Sequence, residues 1–220
     1  MKEIFPGVFK EGKRLFTLSL VKNGSAYAKS ILKSGKKEFR EWDVWTSKPA
    51  AAIINGLKNF PIRKGSKILY LGIASGKTAS FFSDIIDKDG IIYGVEISER
   101  SIRDLNPIAE KRGNIVPILA DARKPENYDW IENVDVVYCD VADPQQTEIA
   151  IRNAEKFLKP SGWLMISIKS QSIDVTKDPK KIYDEERKKI ESAGFKVEDF
   201  VILEPYEKGH CFFTARKIIS

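Results

Sequence analysis

A chain of 220 residues with 42% hydrophobic and 31% charged side chains has the means for a packed core, which excludes a disordered or low-complexity protein. The formal net charge of +6 suits an anionic partner such as RNA without requiring one. No run approaches the ~18 continuous apolar residues of a membrane span, Met1 to Phe5 lacks a signal-peptide layout, and Cys139 and Cys211 have no metal-ligand or redox spacing, so the expectation is a cytoplasmic protein with two buried thiols and no membrane partner.

Residues 1–45 carry short apolar runs, Ile4-Phe5, Val8-Phe9 and Leu15 to Leu20, separated by turn material at Pro6-Gly7, Glu11-Gly12-Lys13, Lys22 to Ser25 and Lys33 to Lys36. Asn23-Gly24 is a hairpin signal. A small antiparallel β module for packing or docking is expected, with no catalytic set of its own. A second domain, residues 46–220, follows. Ser47 is placed to cap a helix with Pro49 in its first turn and Ala50 to Ile54 behind it. Strand-like runs then lie at 67–71, 91–95, 115–119, 134–138 and 163–168, alternating with helix-like segments near 77–87, 99–112, 145–157 and 177–193. That alternation predicts βαβ units and a mostly parallel sheet, an α/β Rossmann-like architecture. Two last runs, from Phe195 to Leu203 and from His210 to Arg216, have no helix between them and are expected to pair antiparallel. Along the helix near 177–193, carboxylates precede bases by three or four positions, the pattern of a solvated helix.

In such a sheet the chemistry gathers at the carboxyl ends of the strands. Leu71-Gly72-Ile73-Ala74-Ser75-Gly76-Lys77-Thr78 follows a strand and opens a helix, and its glycines permit a tight turn with close ligand approach. It lacks the dinucleotide Gly-x-Gly-x-x-Gly spacing, and no glycine stands where a P-loop needs one before Gly76-Lys77-Thr78. Glu96 ends the second strand, where a carboxylate accepts from ribose hydroxyls, a device that NAD enzymes share. Asp121 ends the third strand, placed to accept from an adenine amino group. Asp140 ends the fourth, toward the reactive end of the cofactor. The glycine loop, these acids and a terminal antiparallel strand together predict an S-adenosylmethionine-dependent methyltransferase fold.

The motifs resemble those of the fibrillarin family, the archaeal and nucleolar RNA 2′-O-methyltransferases guided by box C/D RNAs. The likeness rests on Trp42-Asp43 with Ser47 to Ile53, Leu71 to Ser80, Gly94-Val95-Glu96, Ala120 to Arg123, Asp140 to Pro144, Ile168 to Asp174, and Glu204 to His210, in family order. Without a Gly/Arg-rich tail, the likeness is to the archaeal form. The resemblance implies a catalytic tetrad of Lys48, Asp140, Lys169 and His210. It also implies cofactor contacts from Gly72, Ala74, Lys77, Thr78, Glu96, Ile97, Asp121, Ala122, Asp140, Val141, Ala142 and Asp143. Four positions depart from the family pattern: Lys77 where Thr is usual, Pro49 for Leu, Asp143 for Gln, and Gly209 for the Asp before His210. The opposite charges of Lys77 and Asp143 allow them to pair.

A ribose hydroxyl is a poor nucleophile and must lose its proton as it attacks the methyl group. A lysine beside other cations can accept that proton, and the expected base is Lys169, oriented and tuned by Asp140. What the resemblance further implies is rRNA and tRNA targets chosen by guide RNA, a Nop-family scaffold, and a kink-turn-binding ribosomal-type protein reached through the particle. Arg123 and Lys124 are candidate RNA contacts. A stand-alone small-molecule or protein methyltransferase and a non-catalytic particle subunit are the alternatives.

Overall fold

The computed structural model describes residues 1–218. Short alternating runs at the start form five strands: β1 (Lys2–Phe5), β2 (Val8–Glu11), β3 (Arg14–Leu18), β4 (Ile31–Ser34) and β5 (Lys37–Trp42). They make one antiparallel sheet in the order β1-β2-β3-β5-β4. The hairpin expected at Asn23-Gly24 does not form, because β3 pairs with β5 rather than with β4. Long-range anchoring overrides the local turn signal. The Leu20 backbone N–H donates to Asp84 (2.9 Å) and the Ala26 carbonyl accepts from Arg40 (2.5 Å), so the segment is drawn across the body of the protein instead of folding back.

Beyond it come α1 (Lys48–Ile54), β6 (Lys67–Leu71), α2 (Lys77–Ile86), β7 (Ile91–Glu96), α3 (Glu99–Arg112), β8 (Ile115–Leu119), β9 (Val134–Cys139), α4 (Gln146–Phe157), β10 (Leu158–Lys169), the short α5 (Ser170–Ile173), α6 (Pro179–Ser192), β11 (Phe195–Ile202) and β12 (His210–Lys217). The sheet order is β11-β12-β10-β9-β6-β7-β8. β6 to β10 pair in parallel, and β12 inserts antiparallel between β10 and β11, as the missing last helix required.

The central strands are apolar on both faces, as a doubly covered parallel sheet demands. Ile68 and Tyr70 pack with α1, α2 and the first sheet, while Leu69 and Leu71 pack with α4. Val8, Leu15 and Trp42 of the first sheet belong to the same buried cluster as Phe81 and Phe82 of α2. Trp42 stacks on Phe81 with ring centroids 5.3 Å apart. Polar groups reinforce the joint: fully buried Asp84 of α2 receives Thr17 Oγ1 (2.6 Å), Arg40 (2.5 Å) and Arg112.

Two other expectations change in detail. Ser47 occupies the N-cap position of α1, but its hydroxyl does not cap the helix; it bonds Thr78 Oγ1 at 2.9 Å and so ties α1 to α2. The charged helix α6 is solvated on one face only, since Ile182, Tyr183, Glu186 and Ile190 are buried. Both cysteines are buried and free, and burial pushes the Cys139 thiol up to about 12 and the Cys211 thiol higher than usual. Among the described residues no helix is long and apolar enough to cross a membrane.

Candidate active site

The chain runs outward from β6 through β7 to β8, then crosses back to place β9 on the other side of β6. A sheet that reverses order this way leaves a crevice at its carboxyl edge. There a cavity of about 370 Å³ is lined by every expected cofactor residue except Lys77 and Thr78, with Val95, Ala120, Arg123 and Ile149 in addition. Gly72 makes this approach possible. Its φ is +76°, and a Cβ there would lie 2.7 Å from the Asp140 carbonyl oxygen, so any side chain would force the loop off β9. Glu96 fixes the same loop from the other side. Its Oε2 accepts from the Ala74 N–H and its Oε1 from the Ser98 N–H, both at 2.9 Å, tying the glycine loop to the start of α3.

Asp121 has an internal partner that its position in the sequence did not announce. The Arg123 guanidinium forks onto both of its oxygens (Nε–Oδ1 3.0 Å, Nη2–Oδ2 2.9 Å), and the Arg123 N–H adds a bond at 2.9 Å. That hydrogen bonding holds the carboxyl below its ordinary range despite burial. Arg123, expected as an RNA contact, is thus directed onto a cavity carboxylate. Lys77 and Thr78 do not line the cavity. Lys77 Nζ lies 5.9 Å from the centroid of the Tyr27 ring, and Thr78 is engaged with Ser47. Nor do Lys77 and Asp143 pair, since Asp143 accepts from the Gln145 N–H at 2.8 Å. The donor set fits a nucleoside-bearing cofactor: Glu96 and Asp121 for its hydroxyls and amino group, apolar walls from Ile97, Ala122, Val141 and Ile149 for its ring, and bare backbone at Gly72.

The expected tetrad falls into two pairs at the carboxyl edge of the sheet, Lys48 with Asp140 and Lys169 with His210. Lys48, at the start of α1, reaches Asp140 at 3.0 Å and 3.1 Å through its two oxygens. Burial pulls the Lys48 amine down, but the Asp140 charge and hydrogen bond, with Glu207 beyond, outweigh it and hold the amine above its ordinary range. Asp140 therefore orients Lys48 and not Lys169, contrary to the expectation. The N-terminal turn of α1 brings Lys48 onto the carboxylate. Among the described residues Lys169 has no carboxylate within 4.0 Å. Its place is set through the backbone: the buried Gln146 amide accepts from the Lys169 N–H at 2.9 Å and donates to its carbonyl at 3.2 Å. His210 is the direct cross-strand partner of Lys169 in the β10–β12 ladder. Its Nδ1 lies 2.9 Å from the Lys208 carbonyl, which only accepts, so Nδ1 carries a proton and donates to it.

Several supporting residues escaped the sequence reading. Tyr27, from the first forty-five residues, donates to the Ser75 carbonyl at 2.9 Å and braces the glycine loop. Tyr138 bonds Ser167 (3.0 Å) beneath Asp140. Gln146 clamps Lys169 from α4. Its full burial at the start of α4 is seen only in the fold, and the sequence offers no signal for it.

The fibrillarin family model matches residues 1–218. The chain belongs to the fibrillarin family. Within it, the chain is 50% identical over 215 residues to the fibrillarin-like rRNA/tRNA 2′-O-methyltransferase of Sulfolobus acidocaldarius, covering 97% of this chain and 93% of the relative. The structure is similar to that of Aeropyrum pernix fibrillarin in complex with natively bound S-adenosyl-L-methionine, with a TM-score of 0.85, 45% identity, and coverage of 92% of this chain and 88% of that one. It is also similar to a chain of a fibrillarin/Nop5p complex, with a TM-score of 0.90, 37% identity, and coverage of 99% and 100%. The Rossmann-like methyltransferase fold expected from the strand-end pattern is the fold of the family.

Proposed function

We propose that this chain transfers a methyl group from S-adenosylmethionine to ribose 2′-hydroxyls of rRNA and tRNA. Box C/D guide RNA chooses the nucleotide within a ribonucleoprotein particle. A Nop-family scaffold holds the chain there, and a kink-turn-binding protein joins through the particle, in the cytoplasm of an archaeal-type cell. The observation that carries this reading is the Lys48–Asp140 pair with Lys169 and His210, at the same sheet edge as the nucleoside-fitting cavity. The activity named for the Sulfolobus relative, the cofactor of the Aeropyrum structure and the Nop5p of the complex support it. Residues 1–45 serve as a docking and bracing module for the catalytic domain, 46–220.

When bound, S-adenosylmethionine supplies an electrophilic methyl group. Glu96 and Asp121 hold its nucleoside part, with Gly72 and the run from Val141 to Asp143 along the side of Asp140. Lys48 stays an ammonium because Asp140 holds it there, which makes it a poor base and a good electrostatic anchor. Lys169, positioned by Gln146 and without a carboxylate partner among the described residues, takes the proton from the 2′-hydroxyl at Nζ. His210 stands across the strand from it, anchored through Nδ1 on the Lys208 carbonyl. The larger share of the rate comes from holding oxygen and methyl carbon in line. Lys169→Ala tests the assignment. Methyl transfer at saturating cofactor should fall by ~100-fold or more, with cofactor binding retained. Undiminished turnover removes Lys169 from the role.

A further inference from the structure

Trp45 is 54% exposed, three residues before Lys48. Its indole meets the ring of Tyr206 edge-on, with centroids 4.8 Å apart at 71°. Tyr206 lies four residues before His210 and next to Glu207, whose charge is felt by Lys48. The pair thus bridges the two loops that deliver Lys48 and His210.

Both loops are fastened from below. Asp43 Oδ1 accepts from the Trp45 N–H (3.2 Å), and its carbonyl accepts from the Thr46 N–H (3.3 Å). On the other loop, the Leu203 carbonyl accepts from the Tyr206 N–H (2.9 Å). Asn55, at the end of α1, donates to the Ile202 and Glu204 carbonyls at 2.9 Å and 2.8 Å and binds that loop to the helix carrying Lys48. An indole held out on a braced turn keeps its stacking surface available without ordering cost at the moment of binding.

We propose that Trp45 and Tyr206 form a stacking subsite for the target nucleoside, seating its ribose and base against the indole so that the 2′-hydroxyl faces Lys169. The proposal rests on the RNA 2′-O-methylation reading and adds the surface that holds the acceptor. An aromatic face suits a guide-directed enzyme. Every base has a π-face, so stacking tolerates any nucleotide, whereas hydrogen-bonding side chains would discriminate among them. Stacking of this kind needs the target base splayed out of the helix, where its face is open to an aromatic side chain.

The test uses particles reconstituted with guide RNA, scaffold and kink-turn protein, carrying wild-type chain, Trp45→Ala, Trp45→Phe, Tyr206→Ala or Trp130→Ala. Trp130 is 62% exposed and contacts Tyr93, on the far side of the sheet, and is the matched control. Expected are a rise of ~10-fold or more in KM for target RNA in Trp45→Ala, a smaller rise in Tyr206→Ala, recovery in Trp45→Phe, and no change in Trp130→Ala. Cofactor affinity should be equal in all. The fluorescence difference between wild-type and Trp45→Phe particles should be quenched when target RNA is added. An unchanged KM in an active Trp45→Ala particle overturns the subsite and leaves the methylation reading standing. Failure of Trp45→Ala to assemble with the scaffold, or quenching by scaffold alone, makes the pair a protein contact and also overturns it. A wild-type particle that binds cofactor and target yet transfers no methyl group overturns the functional reading itself.

Discussion

Replacing Asp84 with Ala should loosen the whole joint between the two sheets. The Asp84 carboxylate is fully buried and accepts from Thr17 Oγ1 at 2.6 Å, the Leu20 N–H at 2.9 Å, Arg40 at 2.5 Å, and Arg112. Arg40 is itself fully buried, and the Arg112 guanidinium is nearly so. Burial already pulls the Arg112 guanidinium below its ordinary range, with Asp84 opposing that pull and Arg40 adding to it. The variant leaves two like charges facing each other without a counter-charge. Removing one member of a buried ionic cluster costs about 3–5 kcal/mol. For a chain of this size that corresponds to a fall in Tm of about 6–20 °C. Denaturant and thermal unfolding, followed by far-ultraviolet circular dichroism, measure it directly. Asp84→Asn keeps the shape and one acceptor oxygen, enough for the Leu20 N–H, and should lose less. A loss below about 1 kcal/mol for Asp84→Ala would refute the claim that this cluster holds the first sheet in place.

Other outcomes follow from the site. Glu96→Gln cannot accept from both Ala74 and Ser98, so the glycine loop should loosen and the cofactor Kd in calorimetry rise by ~10-fold or more; an unchanged Kd would contradict the loop assignment. Acid stability depends on carboxylates held below their ordinary values. Glu41 is held so by its hydrogen bond to Arg14 and by Ser30, against burial, and Asp135 by Lys159 and the Lys67 N–H, which together outweigh burial. A depressed folded-state pKa contributes stability above the unfolded value and loses it as the pH falls through the folded one. Tm should therefore be flat down to about pH 4.5 and drop below it, and a Tm that rises on acidification past that point would contradict the pairing.

Much of the catalytic half was legible because its signals are local. A strand buried on both faces, such as Ile68 to Leu71, writes its burial into four successive apolar residues. A carboxylate that must sit at a strand end sits next to the strand in sequence, as do Glu96, Asp121 and Asp140. Contacts across the fold left no such trace. The Asn23-Gly24 signal was outcompeted by Asp84, more than sixty residues away. Which lysine Asp140 would hold depended on how α1 packs against the sheet beside β12, and composition says nothing of that. The fork of Arg123 on Asp121 is only two residues long, yet an Asp-x-Arg sequence does not distinguish it from an arginine turned toward solvent or RNA. Tyr27 was invisible because its role exists only once the first sheet is docked on the glycine loop.

Guided transfer to ribose is the activity proposed for this chain. Its most direct test supplies radiolabelled S-adenosylmethionine to the chain alone and to the particle reconstituted with scaffold, kink-turn protein, guide RNA and matching target, followed by nuclease mapping of the labelled nucleotide. Label is expected on one ribose 2′-oxygen, at the position set by the guide, only in the complete particle. Label on a base, or efficient site-specific labelling by the isolated chain, would contradict it.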